Sequence, residues 1–111
     1  MNEDLLEVLA MVSEECGEVV QAIGKALRHG IDDWNPVTGI DNKDAIVTEL
    51  ADVIAVAVLL LEFLEIPQST IDANYERKFT KLLEYTHSEK LIFILETFVE
   101  AEHHDNIRPR L

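Results

Sequence analysis

The chain has 111 residues, a formal net charge of −13, 48% apolar residues and 6% aromatics. That length suits one compact domain with an aliphatic core. The charge opposes a sequence-independent grip on nucleic acid, which needs Lys and Arg to neutralise phosphates. A protein this acidic that handles a polyanion needs a metal ion between the two, while most of its 22 acids solvate helix surfaces.

Only 4 Gly and 3 Pro interrupt the chain, a composition that predicts an all-α fold. The single cysteine, Cys16, has no internal partner for a disulfide and is expected in the core. No basic and apolar signal segment opens the sequence, so a cytoplasmic protein is expected. The longest apolar run, Val53 to Leu61, falls far short of the roughly 20 residues that cross a bilayer, which argues against a membrane span.

The first helix is predicted to start after Asn2 as N-cap, with Glu3 and Asp4 complementing its positive end, and to stop at His29 before Gly30. Its expected core stripe is Leu5, Leu9, Val12, Cys16, Val19, Ile23 and Leu27, spaced by threes and fours. Residues 30–42 read as a loop of turn formers that carries Trp34, the only tryptophan. Asp41 or Asn42 then caps a second helix that runs to about Glu65 and is ended by Pro67. This helix is apolar on almost every side from Val53 to Leu61, which places it centrally in a bundle or in a subunit interface.

A third helix is predicted from Pro67 to about Tyr85, lined by Ile71, Tyr75, Phe79 and Leu82. A fourth is predicted from Ser88 to about Glu102, lined by Leu91, Ile94, Leu95 and Phe98. The expected domain is 1–102, with a frayed tail over 103–111.

Two acidic pairs carry the chemistry. Glu15 and Glu18 lie three residues apart on the first helix, and Glu49 and Asp52 repeat that spacing on the second, so each pair presents two carboxylates to one side. At about 100° per residue, Glu15 falls between Val8 and Ala22 and Glu18 beside Met11, at the edge of the apolar arc. Glu49 and Asp52 flank Val56 and share a face with Leu60 and Phe63, while Asp44, Thr48 and Glu62 take the exposed side.

If the first two helices run antiparallel, Glu18 and Asp52 lie equally far from the loop and the two pairs come level. Several carboxylates buried together are unfavourable unless a cation joins them. Oxygen donors with no Cys or His among them suit Mg²⁺ or Mn²⁺.

The segments Ser-Glu-Glu-Cys-Gly-Glu-Val-Val and Thr-Glu-Leu-Ala-Asp-Val-Ile resemble the MazG-like, all-α nucleoside triphosphate pyrophosphohydrolases, a superfamily that includes dimeric dUTPases and dCTPase-type enzymes. The resemblance spans about residues 3–85 and implies a four-helix, bundle-like fold whose antiparallel first and second helices carry the metal site. It makes Glu15, Glu18, Glu49 and Asp52 the Mg²⁺ ligands and Glu14 the extra acid that precedes the first pair; a carboxylate not fully used in coordination, Glu14 or Glu15, is expected to orient the attacking water. It further implies cleavage of a nucleoside triphosphate to monophosphate and pyrophosphate in nucleotide-pool housekeeping, and assembly as a homodimer or homotetramer. The third-helix residues Asn74, Arg77 and Lys78 occupy the place where relatives hold phosphates, although Phe79-Thr80-Lys81 replaces their usual Tyr-Pro close.

Lys25, two turns beyond Glu18 on nearly the same side, either reaches a phosphate or is a solvated cation at a helix C-terminus. Trp34 either covers apolar surface or stacks on a base. Two other readings differ in class. Glu84-x-x-His87 and Glu100-x-x-His103 have the spacing of a ferritin-like di-metal bundle but sit at helix ends. A non-catalytic helical interaction module predicts acids on exposed faces.

Overall fold

The computed structural model describes residues 1–101, with side chains through Val99. The described residues are all-α: α1 (Glu3–His29), α2 (Asn42–Phe63), α3 (Gln68–Tyr85) and α4 (Glu89–Ala101), with no strand beyond an isolated bridge between Trp34 and Asp41. The chain divides into two compact units, Met1–Glu65 and a second that begins at Ile66. The expected domain takes in both, and the expected tail lies outside the described residues.

Capping sets the helix bounds. Asn2 Oδ1 accepts from the Leu5 N–H at 2.7 Å and Asp41 Oδ1 from the Asp44 N–H at 2.7 Å, each satisfying a donor that the helix leaves open. At the other end of α1, Gly30 adopts φ 100 and its N–H donates to the Ala26 carbonyl at 2.8 Å, closing the last turn. α2 ends at Phe63, two residues before the expected Glu65, because Glu65 turns into the left-handed region at φ 55. Its neighbour Ile66 precedes Pro67, a position that disfavours helix.

In the first unit α1 and α2 pack against each other. Asp4 and Glu7 line one cleft with Leu59 and Phe63, while Lys25 and His29 line another with Asn42 and Ala45, so the helices are antiparallel. The packing stripe of α1 corrects the expected one. Val8 is its only fully buried apolar residue, and Leu5, Val12, Glu15, Val19, Ala22 and Ala26 are half-buried, whereas Leu9, Cys16, Ile23 and Leu27 face outward. The helix is therefore rotated by about one residue, which takes Cys16 out of the core and carries Glu15 into the seam. The α2 seam is Ile46, Glu49, Val53, Val56 and Leu60, again with a carboxylate among aliphatics.

In the second unit α3 packs on α4. Tyr75 stacks on Phe79 at 6.0 Å between ring centroids, and Phe79 meets Phe98 at 5.2 Å. Ile71 and Leu82 face inward as expected. On α4 the inward residues are Ile92, Leu95, Phe98 and Val99, while Leu91 and Ile94 are exposed, a second rotation of about one position. Ser88 Oγ accepts from the Leu91 N–H at 3.3 Å, which fixes the α4 start.

Candidate metal centre

The two acidic pairs meet along the α1–α2 seam. Glu15 and Glu18 stand a turn apart on α1, and Glu49 and Asp52 stand level with them on the antiparallel α2. One carboxylate oxygen from each of the four lies within 4.8 Å of the others. Among the described residues this is the one cluster of metal-type ligands. Glu15 and Glu49 are half-buried and Asp52 is exposed, so the cluster spans from the seam to the surface.

Electrostatics within the cluster are adverse for the chain alone. Burial and the charges of Glu18, Asp52 and Glu14 push the Glu15 carboxyl above the ordinary glutamate range. A carboxyl–carboxyl hydrogen bond with Glu18, followed by burial and the Glu18, Asp52 and Glu15 charges, does the same to Glu49. Glu15 Oε2 and Glu49 Oε2 are hidden from solvent and have no hydrogen-bond partner. Two orphaned carboxylate oxygens facing two further carboxylates fit a divalent cation, and the all-oxygen donor set fits Mg²⁺ or Mn²⁺.

This has a measurable consequence. Both carboxyls keep their proton to higher pH in the folded chain than in the unfolded one, where the value is near 4.5. The folded state therefore binds more protons between that value and the raised one, and metal-free stability falls as pH rises through this window. Melting in EDTA is expected to show that fall, and the double variant Glu15→Gln/Glu49→Gln to flatten it. The rise in melting temperature on adding Mg²⁺ should grow with pH, since a cation binds the ionised carboxylates. A Mg²⁺ effect of equal size from pH 4.5 to 8 contradicts this centre.

A family model for the MazG nucleotide pyrophosphohydrolase domain matches residues 3–84, about three quarters of the chain. This chain belongs to that family. Comparison with curated proteins and with solved structures gave no match. The MazG match begins at the first residue of α1 and ends one residue before the end of α3, so it includes both acidic pairs.

The remaining expected site residues fall in three places. Glu14 is exposed next to Glu15 and its charge adds to the upward push on that carboxyl. Lys25 and Trp34 line one cavity between the end of α1 and the 31–41 loop, so Trp34, 58% exposed, does not serve as core cover within this unit. Asn74, Arg77 and Lys78 lie exposed on α3 in the second unit, and the Asn74 amide donates to the Thr70 backbone carbonyl of its own helix at 2.9 Å. Glu84 lies in the last turn of α3 and His87 follows the helix, both outside the acidic cluster, and His103 lies outside the described residues.

Arg28, His29 and Asp33 also line the Lys25–Trp34 cavity and were not among the expected site residues. The signal for two of them was present. Arg28 and His29 lie three and four residues after Lys25, the spacing of neighbours on a helix surface, and His29 with Lys25 continues the Glu18 face.

Among the described residues no helix is long and apolar enough to cross a membrane.

Proposed function

We propose that this MazG-family chain is a divalent-metal-dependent nucleoside triphosphate pyrophosphohydrolase that cuts between the α- and β-phosphates. The observation that carries the reading is the convergence of four carboxylates within 4.8 Å on two antiparallel helices, two of them with orphaned oxygens. Glu15, Glu18, Glu49 and Asp52 would hold Mg²⁺ or Mn²⁺. When bound, the ion offsets phosphate charge that a chain of net charge −13 otherwise repels.

Glu14, outside the cluster of four, or the Glu15 oxygen not engaged by the ion, accepts the proton of the attacking water. Lys25 steadies the phosphates from the same face of α1. Asn74, Arg77 and Lys78 are further candidates for that task, and Trp34 is the candidate for the base. The activity suits housekeeping of the cytoplasmic nucleotide pool.

The working form is a homodimer or homotetramer. Val20 and Leu27 on α1 are 72% and 83% exposed, and Val47 and Leu59 on α2 are 58% and 49% exposed, apolar side chains that a partner subunit would cover.

The test is a product analysis with a panel of ribo- and deoxyribonucleoside triphosphates in Mg²⁺ or Mn²⁺. At least one substrate is expected to yield monophosphate and pyrophosphate, with no turnover in EDTA. Diphosphate and orthophosphate as products, or no turnover of any nucleotide, contradict the proposal.

A further inference from the structure

The cavity beyond the metal centre has its own chemistry. Its volume is about 400 Å³, within the ordinary range for small-molecule sites. It gathers Lys25, Arg28 and His29 against a single acid, Asp33, in a chain with more than twice as many acids as Lys and Arg. Trp34 stands at its wall with more than half its surface free.

The loop that carries Trp34 and Asp33 is fixed by its own hydrogen bonds. The Asn35 N–H donates to the Ile40 carbonyl at 2.9 Å, the Asn42 N–H to the Asp33 carbonyl at 2.8 Å, and the Lys43 N–H to the Ile31 carbonyl at 3.0 Å. Asn35 Oδ1 accepts from the Val37 N–H at 2.8 Å, and Asn42 Nδ2 donates to the Gly30 carbonyl at 2.8 Å. An exposed indole on a frame held this way is a preorganised stacking surface.

Position relative to the acids sets the ligand's direction. Lys25 and His29 follow Glu18 by seven and eleven residues, so they lie within about 20° of its face and about 10 and 16 Å further along α1. Arg28 lies about 80° around the helix from that face, and a Cβ built on Gly24 would lie 3.6 Å from Arg28 Nη1, so its guanidinium rests over Gly24, one turn back along α1. A nucleotide with its phosphates at the acidic centre has its sugar and base directed along this face into the cavity.

The donors and acceptors there select among bases. A guanidinium offers paired N–H donors in a fixed fork, and a carboxylate offers two acceptors. Among the four common bases, guanine alone combines two adjacent acceptors, O6 and N7, with two adjacent donors, N1–H and the 2-amino group. Adenine carries an amino donor where guanine has O6, and neither pyrimidine has both pairs.

We propose that this cavity is a guanine subsite, in which Trp34 stacks on the base, Arg28 donates to O6 and N7, and Asp33 accepts from N1–H and the 2-amino group. The direction of the ligand rests on the proposed nucleotide reading of the acidic centre. The recognition of guanine rests on the cavity itself.

Trp34, the only tryptophan, reports binding directly. The full-length protein is titrated in Mg²⁺ with GMP, AMP, CMP and UMP while its emission is followed. GMP is expected to quench with at least about tenfold higher affinity than the other three. Arg28 and Asp33 are exposed, so Arg28→Met and Asp33→Asn should keep the helical circular dichroism of the parent. Each should lose about tenfold in GMP affinity and leave AMP unchanged.

Equal affinities for the four nucleotides, absence of quenching by GMP, or retention of the GMP preference in Asp33→Asn overturns the assignment. Pyrophosphate release from the triphosphate panel is measured in parallel. Turnover without guanine preference overturns the subsite and leaves the activity standing, whereas selective GMP binding without turnover supports the subsite and removes the activity.

Discussion

Glu49→Gln is expected to lower metal-dependent turnover by roughly 100-fold or more, as removal of one preorganised electrostatic group in an active site commonly does, and to raise the melting temperature in EDTA. Both effects have one origin. The Glu49 carboxyl, pressed against Glu18 and flanked by the Asp52 and Glu15 charges, is pushed upward because its ionised form is unfavourable beside them. A neutral amide of the same shape relieves that repulsion in the metal-free protein and removes a ligand from the metal-bound one. Glu15→Gln should behave alike, for its carboxyl is raised by burial and by the same neighbours. A variant that lost activity and melted lower in EDTA would indicate a packing role; one that kept full activity would remove the residue from the centre.

Ile54→Glu is expected to dissociate the assembly. Ile54 lies at the start of the α2 apolar run and remains 38% exposed, with Val47, Leu50 and Val58 exposed on neighbouring turns. In a lone chain a glutamate there stays hydrated and costs little. In a subunit interface it buries a charge without a partner, which weakens self-association by roughly 100-fold or more. Sedimentation velocity at micromolar concentration should find the parent at two or more copies of the 12.6 kDa chain and the variant shifted toward one. A monomeric parent contradicts the oligomer, and a variant that assembles like the parent takes Ile54 out of its interface.

Helix bounds and the acidic centre were largely legible in the sequence, because caps and three-residue spacings are local. Asn2, Asp41 and Gly30 act through bonds to residues three or four away, so their roles follow from the chain alone. The facing of the helices was less so. α1 is apolar over so wide an arc that Leu9–Cys16–Ile23 and Val8–Glu15–Ala22 are both plausible seams, and the choice falls to packing against α2. The second stripe prevails although it carries a carboxylate, which brings Glu15 opposite Glu49 and leaves an apolar stripe outside. Asp33 was illegible for another reason: the loop hydrogen bonds that place it join Gly30, Ile31 and Asp33 to the start of α2 and have no periodic signature.

Together the four clustered carboxylates would hold one divalent ion. Titration of the full-length protein with Mn²⁺, followed by electron paramagnetic resonance, tests this without any substrate. The parent is expected to bind Mn²⁺ and to release it to excess Mg²⁺, while Glu15→Gln and Glu49→Gln each bind it at least about tenfold more weakly, the scale on which loss of one group at a metal site is felt. Parent protein that binds no Mn²⁺, or variants that bind it as tightly as the parent, contradicts the account.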